Sequence, residues 1–156
     1  MKTSPALVML FALALSAAAS TASVAAPLET TPSANEKITD FTIGKHAITA
    51  KDWNLSAKSF ARVVAEQPNN ADAHNLHGYS LRWLGRYDES FAAYNKALAL
   101  DPNHKGALEY SGVAYLKTNQ LPKAQANLVR LQAICATCEE TTDLAKAIAE
   151  YKPAAK

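Results

Sequence analysis

The sequence predicts an all-α chain: an α-solenoid of three helix–turn–helix repeats closed by a C-terminal capping helix. Three observations predict it. The 156 residues include 32 alanines against only 5 glycines, which favours helix over a turn-rich β domain. Glycine, aromatic and proline positions recur at a spacing of 34 residues, the length of one helix pair. The last segment then places Leu144, Ala147, Ile148 and Tyr151 on one helical stripe. Hydrophobic residues at 49% and charged residues at 19% exclude a wholly disordered chain. The 16 basic and 14 acidic residues give a formal charge of only +2, without the clustered cationic excess that gripping nucleic acid requires.

The N-terminus reads as an address. Met1-Lys2 precedes an uncharged run from Ala6 to Ala19, followed by small residues, and Ser23-Val24-Ala25 fits a cleavage site. As a helix, those 14 residues would rise about 21 Å, short of the ~30 Å hydrocarbon core. Residues 1–25 are therefore expected to be a signal peptide rather than a membrane span. Its removal leaves 15 basic against 14 acidic residues. No cysteine lies near that site to accept a lipid, so the mature chain is expected to be soluble, exported, and most readily placed in a bacterial periplasm. Residues 26–36, with Pro27 and Pro32, form a flexible lead-in, and Ser33-Ala-Asn-Glu36 matches a capping box opening the first helix.

From there the 34-residue offset aligns Gly44, Gly78 and Gly112, then Phe60, Tyr94 and Leu128, then Val63, Ala97 and Leu131. It also aligns Trp53, Tyr87 and Leu121, and Pro68 with Pro102. Each column has a physical reading. Glycine permits close approach of two helices, the large residue fills the gap, and proline stops the second helix. The repeats are bounded as 37–70, 71–104 and 105–138, with 139–156 as capping helix and tail. Helices are expected at about 35–49, 54–67, 71–84, 88–100, 105–118, 122–135 and 140–151.

The middle segment, with Gly78, Tyr87, Tyr94, Ala97 and Asp101-Pro102, closely resembles the tetratricopeptide repeat. The resemblance implies a superhelix of stacked pairs and a function in protein binding, as a monomer without cofactor or catalysis. It also implies that first-helix positions line a concave groove. Carried over residue by residue, these are Phe41 and Lys45, then Asn75, Tyr79, Arg82 and Trp83, then Glu109, Tyr110, Val113 and Lys117. Tyr79 and Arg82, three apart, share a helical face, and Lys117 is expected beside them on the neighbouring first helix. Aromatics next to cations suit a peptide bearing acidic groups. One subtype of the family grips a chaperone's terminal carboxylate with a fixed Lys, Asn and Arg set. Those places here carry Phe41, Lys45, Leu76, Gly106 and Tyr110, so that set is missing.

Cys135-Ala-Thr-Cys138 is the only thiol pair, and an even count in an exported chain favours a disulfide. So short a loop contributes about 2 kcal/mol at most. The alternative is a thiol-redox or metal-handling role for Cys135 and Cys138. Haem attachment would need a histidine where Glu139 stands, and zinc would need two further ligands. His74 and His77 are i, i+3 neighbours at positions expected to pack between helices. No nucleophile elbow, phosphate-binding glycine loop or zinc-protease motif occurs in the sequence. The leading expectation is a non-enzymatic exported scaffold that binds a protein or peptide, such as an envelope assembly factor.

Overall fold

The computed structural model describes residues 39–153. The segments expected to be a signal peptide and a flexible lead-in, with the Ser33–Glu36 box, and residues 154–156 lie outside the described residues. Within them the chain forms seven helices: α1 (Asp40–Thr49), α2 (Trp53–Glu66), α3 (Ala71–Trp83), α4 (Tyr87–Leu100), α5 (Lys105–Lys117), α6 (Leu121–Ile134) and α7 (Glu139–Ala149). Six agree with expectation to within two residues at either end. The first does not: α1 opens at Asp40 rather than near residue 35. Thr39 is extended and caps the helix reciprocally with Thr42. Its hydroxyl accepts from the Thr42 backbone N–H at 3.2 Å, and the Thr42 hydroxyl accepts from the Thr39 N–H at 2.9 Å. Asp40 then places a carboxylate in the positively polarised first turn.

Three of the later helices, α2, α3 and α5, are capped by the side chain of the residue that ends the preceding linker. Asp52 accepts from the Leu55 N–H at 3.0 Å, Asn70 from Ala73 at 2.9 Å, and the His104 ring from Ala107 at 3.3 Å. The turns inside the three pairs share one device. Lys51, Gly85 and Asn119, spaced 34 apart, all adopt positive φ, at 58°, 73° and 57°. Only Gly85 takes that conformation without steric cost, and Asn tolerates it better than Lys.

Helices α1 and α2, α3 and α4, and α5 and α6 pack as pairs, with each pair on the next and α7 against both α5 and α6. The periodic glycines mark the tightest contacts. A Cβ on Gly44 would come within 2.7 Å of the Phe60 ring, and one on Gly78 within 2.8 Å of Tyr94. Both rings are fully buried. The third glycine departs from the sequence pattern. Gly112 faces Leu144 of α7, at 2.7 Å from the position of a Cβ, so the capping helix supplies the plug there. Leu144 closes a cluster with Leu108 and Leu131, all three fully buried. Burying an open-ended repeat in this way is the work of a solenoid cap.

Buried polar ties fix the register. Ser56 and Ser80 hydroxyls are 2.6 Å apart, Ser90 donates to the Gly78 carbonyl at 2.7 Å, and Asn127 donates to the Leu108 carbonyl at 2.9 Å. Among the described residues, no helix is long and apolar enough to cross a membrane.

Candidate functional site

On α3, Tyr79 and Trp83 are i, i+4 neighbours, and Arg82 lies between them on the same side. The structure assembles an aromatic row around this trio. Trp53, the first residue of α2, stacks on Trp83 with ring centres 4.9 Å apart and planes 6° from parallel. Trp53 and Trp83 each meet Tyr79 edge-on, at 5.9 and 6.3 Å. Tyr79 in turn meets Tyr110 of α5 at 4.7 Å. The Arg82 guanidinium sits 5.0 Å from the Tyr79 ring centre and 5.1 Å from that of Trp83, within cation–π range of both. Trp83 keeps 50% of its surface exposed, so it presents a large, buttressed apolar face to solvent.

The seam between α3 and α5 is polar. Asn75 is buried beside Gly106, and its Oδ1, like Arg82 Nε, has no hydrogen-bond partner among the described residues. Glu109 is half-buried. Burial first, then the carboxylates of Asp143 and Glu140, push its carboxyl up to about 7, while Arg82 opposes the shift. Burial first and then Glu109 push the Tyr110 hydroxyl up to about 12.

The residues expected on the groove therefore divide. Tyr79, Arg82, Trp83 and Tyr110 form one contiguous surface, with Asn75 and Glu109 in the seam beside it. Phe41 instead packs edge-on against Phe60, at 5.5 Å, and joins the core. Lys45, one turn further along α1, is exposed. Val113 and Lys117 line a cavity of about 480 Å³ together with Leu116, Ala147 and Tyr151, a lining that does not include Tyr79 or Arg82. Trp53 was missed by the sequence reading. It stands in the same column as Tyr87 and Leu121, and nothing in the spacing says that its ring stacks on Trp83.

His74 and His77 line a second cavity of about 360 Å³ with Val64, Leu81 and Glu89. Burial first and then His74 hold the His77 ring below its ordinary value, and His74 Nε2 lies 3.0 Å from the Pro68 carbonyl. Among the described residues, no three histidines, cysteines or carboxylates converge for a metal ion. The expected disulfide between Cys135 and Cys138 is not formed in the structure, where both thiols are free. Cys138 Sγ turns instead toward the Cys135 carbonyl, 3.1 Å away.

Stacked aromatics beside the Arg82 guanidinium, carried on paired helices, make up this candidate surface. The tetratricopeptide repeat family matches residues 41–105 and 77–133, more than half of the chain, and the chain belongs to that family. Domains of this family are typically protein–protein interaction modules. Tetratricopeptide repeat protein 37 of Xenopus laevis is 29% identical over 123 residues, 71% of this chain; the chain spans only 8% of that relative's length. Solved structures share the fold, as two of them illustrate. The TPR2B domain of yeast Sti1, in complex with pHsp70, superposes with a TM-score of 0.65 at 20% identity, covering 70% of this chain and 90% of that one. The type III secretion translocator chaperone SycD of Yersinia enterocolitica gives 0.63 at 14% identity, covering 72% of this chain and 85% of its own.

Proposed function

We propose that this chain is a non-enzymatic, exported tetratricopeptide scaffold, periplasmic in location and monomeric. In this reading it holds a protein or peptide partner on the face built by Trp53, Tyr79, Arg82, Trp83 and Tyr110. A role in envelope assembly follows from combining export with partner holding. The observation that carries the proposal is Trp83: half-exposed, yet fixed by stacking on Trp53 and flanked by Arg82. Aromatic and arginine anchors held rigid before binding are the residue types that dominate interface energies. Arg82 gives the surface a preference for acidic groups on the partner. Export rests on the Met1–Ala25 pattern. The Sti1 and SycD resemblances support a peptide- or protein-holding fold, but the carboxylate-gripping side chains of the chaperone-tail subtype are absent here, so the same ligand does not follow.

The test is partner capture from envelope extract on the immobilised mature chain, followed by affinity measurement with each captured partner. Trp83→Ala and Arg82→Ala should each weaken binding at least about tenfold, the order expected for an interface anchor. Arg82→Ala should also flatten the dependence on salt. Unchanged affinity in both variants would remove this face from consideration.

A further inference from the structure

The turn joining α6 to α7 carries chemistry that the aromatic face does not use. Cys135 ends α6, Cys138 stands at the N-cap position of the 11-residue α7 without a side-chain capping bond, and Ala136 and Thr137 make the turn between them. A four-residue turn brings its outer Cα atoms within about 7 Å, inside the reach of a disulfide. Both cysteines are half-buried, so small reagents reach them. Cys138 Sγ already rests 3.1 Å from the Cys135 carbonyl and 3.4 Å from the Thr141 hydroxyl. Thr141 also donates to the Cys135 carbonyl at 2.6 Å, which pins the turn in a closed form.

We propose that Cys135 and Cys138 form a thiol–disulfide exchange site that reacts with small disulfides and reversibly clasps α7 to the end of α6. Cys138 is the attacking thiol. The Cys135 side chain first and Thr141 second hold its thiol below the ordinary value, against the S–H donation to the Cys135 carbonyl, which favours the neutral thiol. The N–H groups that open α7 favour a thiolate at its N-cap, while the neighbouring Glu140 carboxyl opposes one. In the first step the Cys138 thiolate attacks one sulfur of a small disulfide such as glutathione disulfide, expelling one glutathione thiolate and leaving a mixed disulfide. The Cys135 thiolate then attacks Cys138 Sγ, forms the intramolecular bond and expels the second glutathione thiolate. Two electrons pass from the protein to the small disulfide, and the two thiol protons end on the expelled thiolates or in water.

Exchange rather than stapling follows from the size of the loop. With two residues between the cysteines, the bridge removes little freedom from the unfolded chain, so the fold does little to hold it oxidised. Its effect is local. Leu144, two turns into α7, seals Leu108 and Leu131, and the clasp holds that seal in place.

The test uses the full-length mature chain, reduced and then exposed to glutathione disulfide, with each cysteine followed by peptide mass mapping. Cys138 should be alkylated by iodoacetamide at least about tenfold faster than Cys135 in the unmutated protein. Cys135→Ser should accumulate a mixed disulfide on Cys138, whereas the wild type passes through it to the internal bridge. Excess reduced glutathione should reopen that bridge, and α7 amides should exchange hydrogen several-fold more slowly in the bridged form. Equal alkylation rates, a mixed disulfide that persists in the wild type, or a bridge that resists reduced glutathione would each overturn the proposal. The last would make the pair a structural staple.

Discussion

The seal between Gly112 and Leu144 makes a size-swap prediction that only this packing supports. Leu144 is fully buried against Leu108 and Leu131, and its methyl groups fill the space a Cβ on Gly112 would need. Leu144→Ala therefore opens a cavity and should cost about 3 kcal/mol, within the ~2–5 kcal/mol range of such truncations. Gly112→Ala alone forces a methyl to within 2.7 Å of Leu144. Overpacking costs about 1–3 kcal/mol, and alanine's better helix propensity returns about 1 kcal/mol, so the net loss should be about 1 kcal/mol. In the double variant the new methyl enters the vacated space, the clash disappears and the propensity gain remains. Its stability should then be about 1 kcal/mol above that of Leu144→Ala alone, a coupling of about 2 kcal/mol. Urea denaturation of all four proteins closes the cycle, with unchanged m-values confirming that folding remains comparable. Strict additivity would refute the argument, because it would mean that residues 112 and 144 do not share one space.

Three further outcomes follow from other parts of the structure. Glu109 has its carboxyl raised to about 7 by burial and by Asp143 and Glu140, so the folded state favours the protonated form; the resulting stability is complete below the ordinary value near 4.5 and is lost as pH rises through about 7. Because Glu109 is partly solvated, screening reduces the effect to about 1 kcal/mol, and Glu109→Gln should remove that loss, seen as a smaller fall in melting temperature between pH 5 and pH 8; parallel curves would contradict it. Lys51 occupies the left-handed conformation at φ 58°, so Lys51→Gly should leave stability unchanged or raise it by up to about 1 kcal/mol, whereas Gly85→Val, at φ 73°, should lower it by at least about 1 kcal/mol in thermal melts. Asn127→Leu removes the donor to the Leu108 carbonyl and to Ser111 Oγ, and should cost about 1–3 kcal/mol by chemical denaturation.

Much of this architecture was legible because a 34-residue period imposes the same steric demand repeatedly. Gly44 and Gly78 sit opposite Phe60 and Tyr94 because only a missing Cβ lets those rings in, and such a demand leaves a mark on composition. The third plug was not legible. Leu128 occupies the column of Phe60 and Tyr94, but the space over Gly112 is filled by Leu144, sixteen residues beyond the expected position and on a different helix. Helix α1 opens at Asp40 rather than near residue 35 because Thr39 and Thr42 cap it reciprocally, a Thr–Thr pairing that the Ser-x-x-Glu pattern does not reveal. Four of the expected groove residues converge because α3 carries three of them at helical spacing and stacking brings α5 alongside. Trp53 joins from another helix through ring stacking, and Phe41 leaves for the core through its contact with Phe60; neither depends on a spacing visible along the chain. The contact of Cys138 Sγ with the Cys135 carbonyl is likewise invisible in the spacing of the two cysteines.

The most direct test of the central claim asks which face touches the partner. A photoreactive benzophenone side chain at position 83 would report from the aromatic face, and one at position 129 from α6, where Val129 is 64% exposed. Val129 is exposed enough to carry the group, and because the position-83 variant gives up the Trp83 anchor, the partner is supplied at a concentration that saturates both variants. Irradiation with a captured partner bound should give a crosslinked adduct from position 83 and none from position 129. Adducts from position 129 with none from 83 would contradict the account, because the partner would then be held on a surface to which Trp53, Tyr79, Arg82 and Tyr110 contribute nothing.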